Sequence, residues 1–188
     1  MMPDDTNLPD ALSTRHGVSP CALQAVSAHS IIPCMRIAIG SDHAGYRLKT
    51  EILRHLSDQN ADVTDFGAHD ESRVDYPDIG LAVADSVVSG TFDVGILVCG
   101  TGVGMSIAAN KVRGIRAALC GDTYSARMSR LHNDANVLTL GERVTGVGLA
   151  LDIVDTWLTT EYPAEERHGG RVRKMMAIER RDNEGGCE

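Results

Sequence analysis

Two short segments of this 188-residue chain concentrate groups that can move protons or hold anions. One is Gly40-Ser41-Asp42-His43-Ala44-Gly45, which offers a carboxylate and an imidazole. The other is Cys99-Gly100-Thr101-Gly102-Val103-Gly104-Met105-Ser106, which offers a thiol, a hydroxyl and a run of backbone amides. Glycines at 100, 102 and 104 allow the backbone to curl with its N–H groups turned inward, an anion nest at the start of a helix. Such a nest can hold a phosphate or a developing oxyanion, and it favours the thiolate of a cysteine at its mouth. The plain alternative is a tight strand–helix turn with a buried, inert cysteine, and spacing alone leaves the two readings level.

Other glycine-loop chemistries fail at named positions. A mononucleotide loop opening at Gly40 needs a lysine after Gly45, where Tyr46 stands; a dinucleotide loop opening at Gly100 needs a glycine where Met105 stands; a phosphocysteine loop opening at Cys99 needs an arginine at that same Met105. Three further places carry useful groups. His132-Asn133-Asp134 closes a helical stretch, where a histidine is more often a cap than a catalyst. Gly141-Glu142-Arg143 follows a strand. Arg167 and Arg171 lie four residues apart on one helical face and suit a doubly charged phosphate, although neighbouring Glu165, Glu166, Arg173 and Lys174 also fit a solvated charged helix.

The elements that must position these groups follow from periodicity. Strands are expected at 35–39, 62–66, 92–98, 115–120 and 136–140. Helices are expected near 44–58, 77–90, 103–112, 122–131, 146–160 and 164–182. Leu48, Ile52, Leu53 and Leu56 mark the buried face of the first helix, and Pro77 suits the first turn of the second. Five strand–helix repeats imply an α/β fold: a Rossmann-like doubly wound parallel sheet with helices on both faces and a C-terminal helix. Right-handed crossovers leave few topologies, of which the order 2-1-3-4-5 is favoured. Ligands then bind beyond the carboxyl ends of strands 1 and 3, where the two segments above lie.

Composition narrows the function classes. Eighteen Lys+Arg against 26 Asp+Glu give a formal charge of −8, and aromatics make up only 4%. An acidic chain poor in stacking side chains argues against nucleic-acid and anionic-membrane partners. No apolar run approaches the roughly 20 residues of a membrane span. Five cysteines without C-x-x-C spacing, and an N-terminus without an apolar leader core, point to a reducing cytoplasm and no structural zinc. Residues 1–34 carry prolines and no sustained period, so a poorly ordered extension is expected there, with a short docked helix around 21–30 as the alternative. Met35 opens the strong pattern and is a candidate start. The folded domain is expected over 35–182, with a tail at 183–188.

Taken in order, Gly-Ser-Asp-His-Ala-Gly, Asp75-Tyr76-Pro77, the block from Cys99 to Lys111, Gly114-Ile115-Arg116-Ala117, His132-Asn133-Asp134-Ala135-Asn136 and Arg167-His168 with Arg171 resemble ribose-5-phosphate isomerase type B. The wider family includes allose-6-phosphate and galactose-6-phosphate isomerases. The resemblance implies aldose–ketose isomerisation of ribose 5-phosphate to ribulose 5-phosphate without metal or cofactor. It gives Cys99 the role of base between C1 and C2, Thr101 that of assisting at the sugar oxygens, and the amides of Gly100, Thr101, Gly102, Val103 and Gly104 that of the enediolate hole. His132 would open the furanose ring and Asp42 would partner ring or sugar hydroxyls. His43, Arg143, Arg167 and Arg171 would contact phosphate, Tyr76 would line the pocket and Asn133 would touch substrate. The family's site is shared across a homodimer, which in some members pairs into a tetramer. A 6-phosphohexose is the alternative substrate, and a doubly wound binding module without turnover is the reading from another class.

Overall fold

The computed structural model describes residues 35–163 and 166–179. The expected extension over 1–34 and the tail over 183–188 lie outside the described residues, as do the ends of the expected last helix. Along the chain run β1 (Arg36–Ser41), α1 (Tyr46–Asp58), β2 (Asp62–Asp65), α2 (Tyr76–Val88), β3 (Val94–Cys99), α3 (Val103–Ala109), β4 (Ala117–Leu119), α4 (Thr123–Asn133), β5 (Val137–Gly141), α5 (Val147–Thr159) and α6 (Glu166–Ile178). None of the described helices is long and apolar enough to cross a membrane.

All strand pairs are parallel, and alternate side chains of each strand feed two cores. Ile37, Ile39, Ile96, Val98, Leu138 and Leu140 face α1 and α5, where Leu48, Ile52, Leu56, Ile153 and Val154 meet them. Ala38, Leu97, Cys99 and Val137 face α2 and α3, against Val83, Ala84, Val87, Met105 and Ala109. Burying each large apolar side chain contributes roughly 1.5–3 kcal/mol, so these two layers dominate stability. Trp157 is fully buried in the first core, donates its indole N–H to Ser129 Oγ at 3.1 Å, and lies 4.9 Å beneath the Arg130 guanidinium.

The expected fold class holds, but the sheet order is β2-β1-β3-β5-β4 rather than 2-1-3-4-5. β5 sits between β3 and β4, with every residue buried. β4 is three residues long, and Leu119 is 43% exposed, as suits an edge strand. Two polar latches fix this arrangement. Arg116 binds the carbonyls of Asn133 and Asp134 and the Asp134 carboxylate, tying the lead into β4 to the turn that precedes β5. Asn110 covers the free edge of β4, accepting from the Ala117 N–H and donating to its carbonyl, each at 2.9 Å. Because the chain turns back after β4, a right-handed crossover must carry α4 to the face opposite α3. Ala126 of α4 accordingly joins the core of α1 and α5.

Candidate active site

The strand order decides what surrounds Cys99. With β5 next to β3, Cys99 pairs in register with Gly141, so the turn after β5 closes on the turn after β3. Glu142 N–H donates to the Cys99 carbonyl at 2.9 Å and Arg143 N–H to the Gly100 carbonyl at 3.0 Å. The Arg143 side chain crosses Gly100, where a Cβ would lie 3.5 Å from its Cδ, Nε and Cζ. Under the expected order Cys120 would have occupied this neighbouring position, and Arg143 would have been one strand further away.

On the other side, Ser41 pairs with Val98, which sets Asp42 and Cys99 side by side as their strands end. Asp42 is 7% exposed; its backbone N–H donates to the Val98 carbonyl, and its Oδ1 accepts from Ala44 N–H at 2.9 Å. Gly45 makes this juxtaposition possible: a Cβ there would stand 2.6 Å from Val98 carbonyl atoms and 2.9 Å from Cys99 N, distances no side chain tolerates. His43 Nδ1 lies 3.4 Å from the Val74 carbonyl. A carbonyl only accepts, so in this contact Nδ1 is the donor. Tyr76 follows two residues after Val74, and its ring covers Gly104, where a Cβ would meet it at 2.9 Å.

Cys99 itself is 5% exposed, and its Sγ accepts the Gly102 N–H at 3.1 Å. Val103 N–H points to Thr101 Oγ1 at 3.4 Å. Of the three glycines in the loop, Gly102 alone has the left-handed backbone, φ 78°; Gly104 serves the close approach of the Tyr76 ring, whereas a Cβ at Gly100 would make only ordinary contact with Arg143. Thr101 is exposed, Val103 is 46% exposed, and the turn therefore presents a hydroxyl and an apolar rim to the outside. Asp42, His43, Tyr76, Cys99, Gly100, Thr101, Gly102, Val103, Gly104 and Arg143 thus share one edge of the sheet.

The remaining expected residues lie at the opposite edge. Gly95 N–H donates to the Asn136 carbonyl at 2.9 Å, which sets the turn after α4 level with the start of β3. Cys99 closes that strand, about 13 Å further along it at ~3.3 Å per residue. His132 and Asn133 occupy the last turn of α4 and are exposed. α6 packs on α4 there: the rings of His132 and His168 stack with centroids 4.4 Å apart and planes 8° from parallel. Arg116 Nη1 approaches Met176 Sδ at 3.6 Å, and Gly114 N–H donates to the Glu179 carboxylate at 3.2 Å. Arg167 and Arg171 stand exposed on this helix. One chain therefore carries two groups of candidate residues that face away from each other.

Sequence reasoning missed the support beneath Asp42. Lys49 is 0% exposed, and its Nζ donates to both Asp65 carboxylate oxygens, at 2.6 and 2.7 Å, and to the Ala68 carbonyl at 2.6 Å. The loop so held pairs with Ser41 through Gly67 O and Ala68 N, each at 2.5 Å, one residue before Asp42. The signal was present: Lys49 falls on the same helical stripe as Ile52, Leu53 and Leu56, where a charge needs a buried partner. Glu142, noted in sequence only as part of the turn after the last strand, also has a structural part: its carboxylate accepts Leu48 N–H at 2.9 Å and joins the turn after β5 to the first turn of α1.

With this geometry in hand, comparison with known proteins is direct. The profile of the family described as "Ribose/Galactose Isomerase" matches residues 37–175. Ribose-5-phosphate isomerase B of Escherichia coli is 51% identical over 148 residues, covering 79% of this chain and 99% of that protein. The solved structure of Clostridium thermocellum ribose-5-phosphate isomerase B is similar with a TM-score of 0.76 and 60% identity, covering 78% of this chain and 99% of that one. Galactose-6-phosphate isomerase subunit LacB of Clostridium acetobutylicum is 44% identical over 133 residues, covering 70% of this chain and 77% of that protein.

Proposed function

The chain belongs to the ribose/galactose isomerase family, and from that premise we propose that it interconverts ribose 5-phosphate and ribulose 5-phosphate through an enediolate, with Cys99 as the base. One observation carries the assignment: Cys99 Sγ accepts a backbone N–H at 3.1 Å beside a carboxylate that is 7% exposed, at the end of the central strand. Sugar phosphate enters as the furanose. His132 gives a proton to the ring oxygen, the anomeric hydroxyl proton passes to Asp42, and the C1–O4 bond breaks to give the open aldehyde. The Cys99 thiolate then takes the C2 proton. Negative charge moves onto O1, where the amides of the turn from Gly100 to Gly104 oppose it, those of Gly102 and Val103 being shared with Cys99 Sγ and Thr101 Oγ1, and Thr101 relays a proton between O2 and O1. Return of the proton to C1 leaves C1 reduced and C2 oxidised to the ketone. None of these steps calls on a metal ion or cofactor.

The phosphate is the remote group by which the substrate is positioned. His43 and Arg143 on one side and Arg167 and Arg171 on the other suit it. Since His132, Asn133, Arg167 and Arg171 lie at the edge away from Cys99, we assign the active assembly as a homodimer, or a tetramer of two dimers, in which each cysteine is served by the other subunit's histidine and arginines. Cysteines without a pairing pattern favour a reducing compartment, and we place the enzyme in the cytoplasm.

Steady-state assays of the metal-free protein test the reading. Turnover of ribose 5-phosphate with a higher kcat/KM than allose 6-phosphate or galactose 6-phosphate is expected. A preference for a hexose phosphate would keep the chemistry and change the sugar; the similarity to a galactose-6-phosphate isomerase subunit makes that the second reading. No turnover and no hydrogen exchange at C1 or C2 with any of these sugars would leave a binding module.

A further inference from the structure

We infer that His168 is a positioning residue for ring opening: its imidazole, stacked face to face on that of His132, holds the proton donor in the orientation that reaches the ring oxygen. The inference rests on the reading of His132 given above and goes beyond it by assigning work to a second histidine on another helix.

His132 is poorly held by its own helix. It occupies the last turn of α4, is exposed, and has rotatable χ1 and χ2 that an exposed site leaves free. A general acid must sit within hydrogen-bond reach of one oxygen, so that freedom has to be removed before chemistry. The stack does this. Planes 8° from parallel at 4.4 Å leave the His132 ring one flat surface to lie on. His168 is half-buried, and its helix is tied at its far end by the Arg116–Met176 and Gly114–Glu179 contacts. His168 also follows Arg167 directly and precedes Arg171 by three residues, so the helix that presents the two phosphate-seeking guanidiniums also sets the acid. Gripping the phosphate and aiming the proton donor are in this way built into one rigid element.

The substrate pair separates this role from a general loss of structure. Ribose 5-phosphate is a furanose and must be opened. Ribulose 5-phosphate is acyclic, because its 5-phosphate occupies the oxygen that would close a furanose on C2. Exchange of its C1 hydrogen with deuterated water reads the Cys99 step without any ring opening. In His168→Ala, kcat with ribose 5-phosphate should fall roughly 10- to 100-fold while C1 exchange in ribulose 5-phosphate changes less than about threefold. His168→Phe retains a flat ring and should restore ribose 5-phosphate turnover to within about threefold of the parent. Equal losses in both readouts, or no loss in either, would overturn the positioning role. A selective loss of ring opening in His168→Phe would overturn it too, since that outcome requires the imidazole's own chemistry; this variant decides alone if the alanine variant does not fold. Failure of the parent protein to act on either sugar would instead remove the isomerase reading itself.

Discussion

The two edges of the sheet hold their chemistry by different means. At the carboxyl edge Cys99, Asp42 and Arg143 are fixed by the backbone: Asp42 N–H to Val98 O, Glu142 N–H to Cys99 O and Arg143 N–H to Gly100 O lock three turns together. At the other edge His132, Asn133, Arg167 and Arg171 project from the surfaces of two packed helices, and side-chain contacts do the orienting. The first half-site is rigid because β strands end there in register. The second is held by side chains on two packed helices, with His132 of α4 stacked on His168 of α6. On the proposed mechanism, the groups that would meet developing charge sit where the backbone fixes them, and the groups that would grip and open the sugar sit on the helix pair.

The comparison breaks most visibly at the rigid half. Cys99→Ala should lower kcat roughly 10²–10⁴-fold with substrate affinity retained, read by turnover and by direct binding of ribulose 5-phosphate. Unchanged turnover would remove Cys99 from the mechanism. On the helix-borne half, Arg171→Ala or Arg167→Ala should lower kcat/KM by about 10- to 100-fold, mostly through KM, as expected for one charged hydrogen bond to phosphate of about 1.5–3 kcal/mol. A change confined to kcat would mean that these arginines meet the reacting end of the sugar.

A smaller effect sharpens the contrast between the two buried thiols. Cys120 follows β4 as Cys99 ends β3, yet its sulfur meets the Ala118 carbonyl at 3.8 Å instead of a turn of backbone amides, and burial, only partly offset by the Ser129 side chain, pushes its thiol up from 9.0 to about 11. A raised thiol stays protonated in the folded chain after the unfolded chain has ionised. Stability is therefore full below pH 9 and declines as pH rises from about 9 to about 11. Cys120→Ala should remove a pH-dependent loss on the order of 2–3 kcal/mol across that window, seen in urea melts at several pH values, and should leave kcat unaltered. Parallel pH profiles for the two proteins would show that Cys120 does not titrate in this way.

Much of the site was legible before any coordinates. Strand ends at Asp42 and Cys99 followed from alternating apolar runs; a curled backbone was expected across Gly100, Gly102 and Gly104, and of these Gly102 alone takes the left-handed conformation. The neighbour of β3 was not legible, because composition points the wrong way: Ile115–Cys120 is apolar at five of six positions and Asn136–Leu140 at three of five, yet the latter is the buried strand. What separates them is the Arg116 and Asn110 latching of β4, a set of contacts between residues distant in sequence. Lys49 was readable in principle from its place on an apolar stripe, whereas its partner Asp65 was not, since the pairing depends on how the loop at 65–68 folds beneath Ser41. His132 and Arg167 were singled out by type and spacing and given roles only by the resemblance; that they lie away from Cys99 is a property of the topology, in which a helix ends at the edge where the following strand begins.

Subunit complementation tests the shared site most directly. Cys99→Ala and His132→Ala homodimers, each nearly inactive, are mixed under conditions that exchange subunits, and mixed dimers are counted by mass. Half of the dimers should then pair one of each, and each such dimer should hold one intact and one doubly damaged site, restoring about a quarter of parental turnover. Mixed dimers that form and show no more activity than their parents would contradict the account.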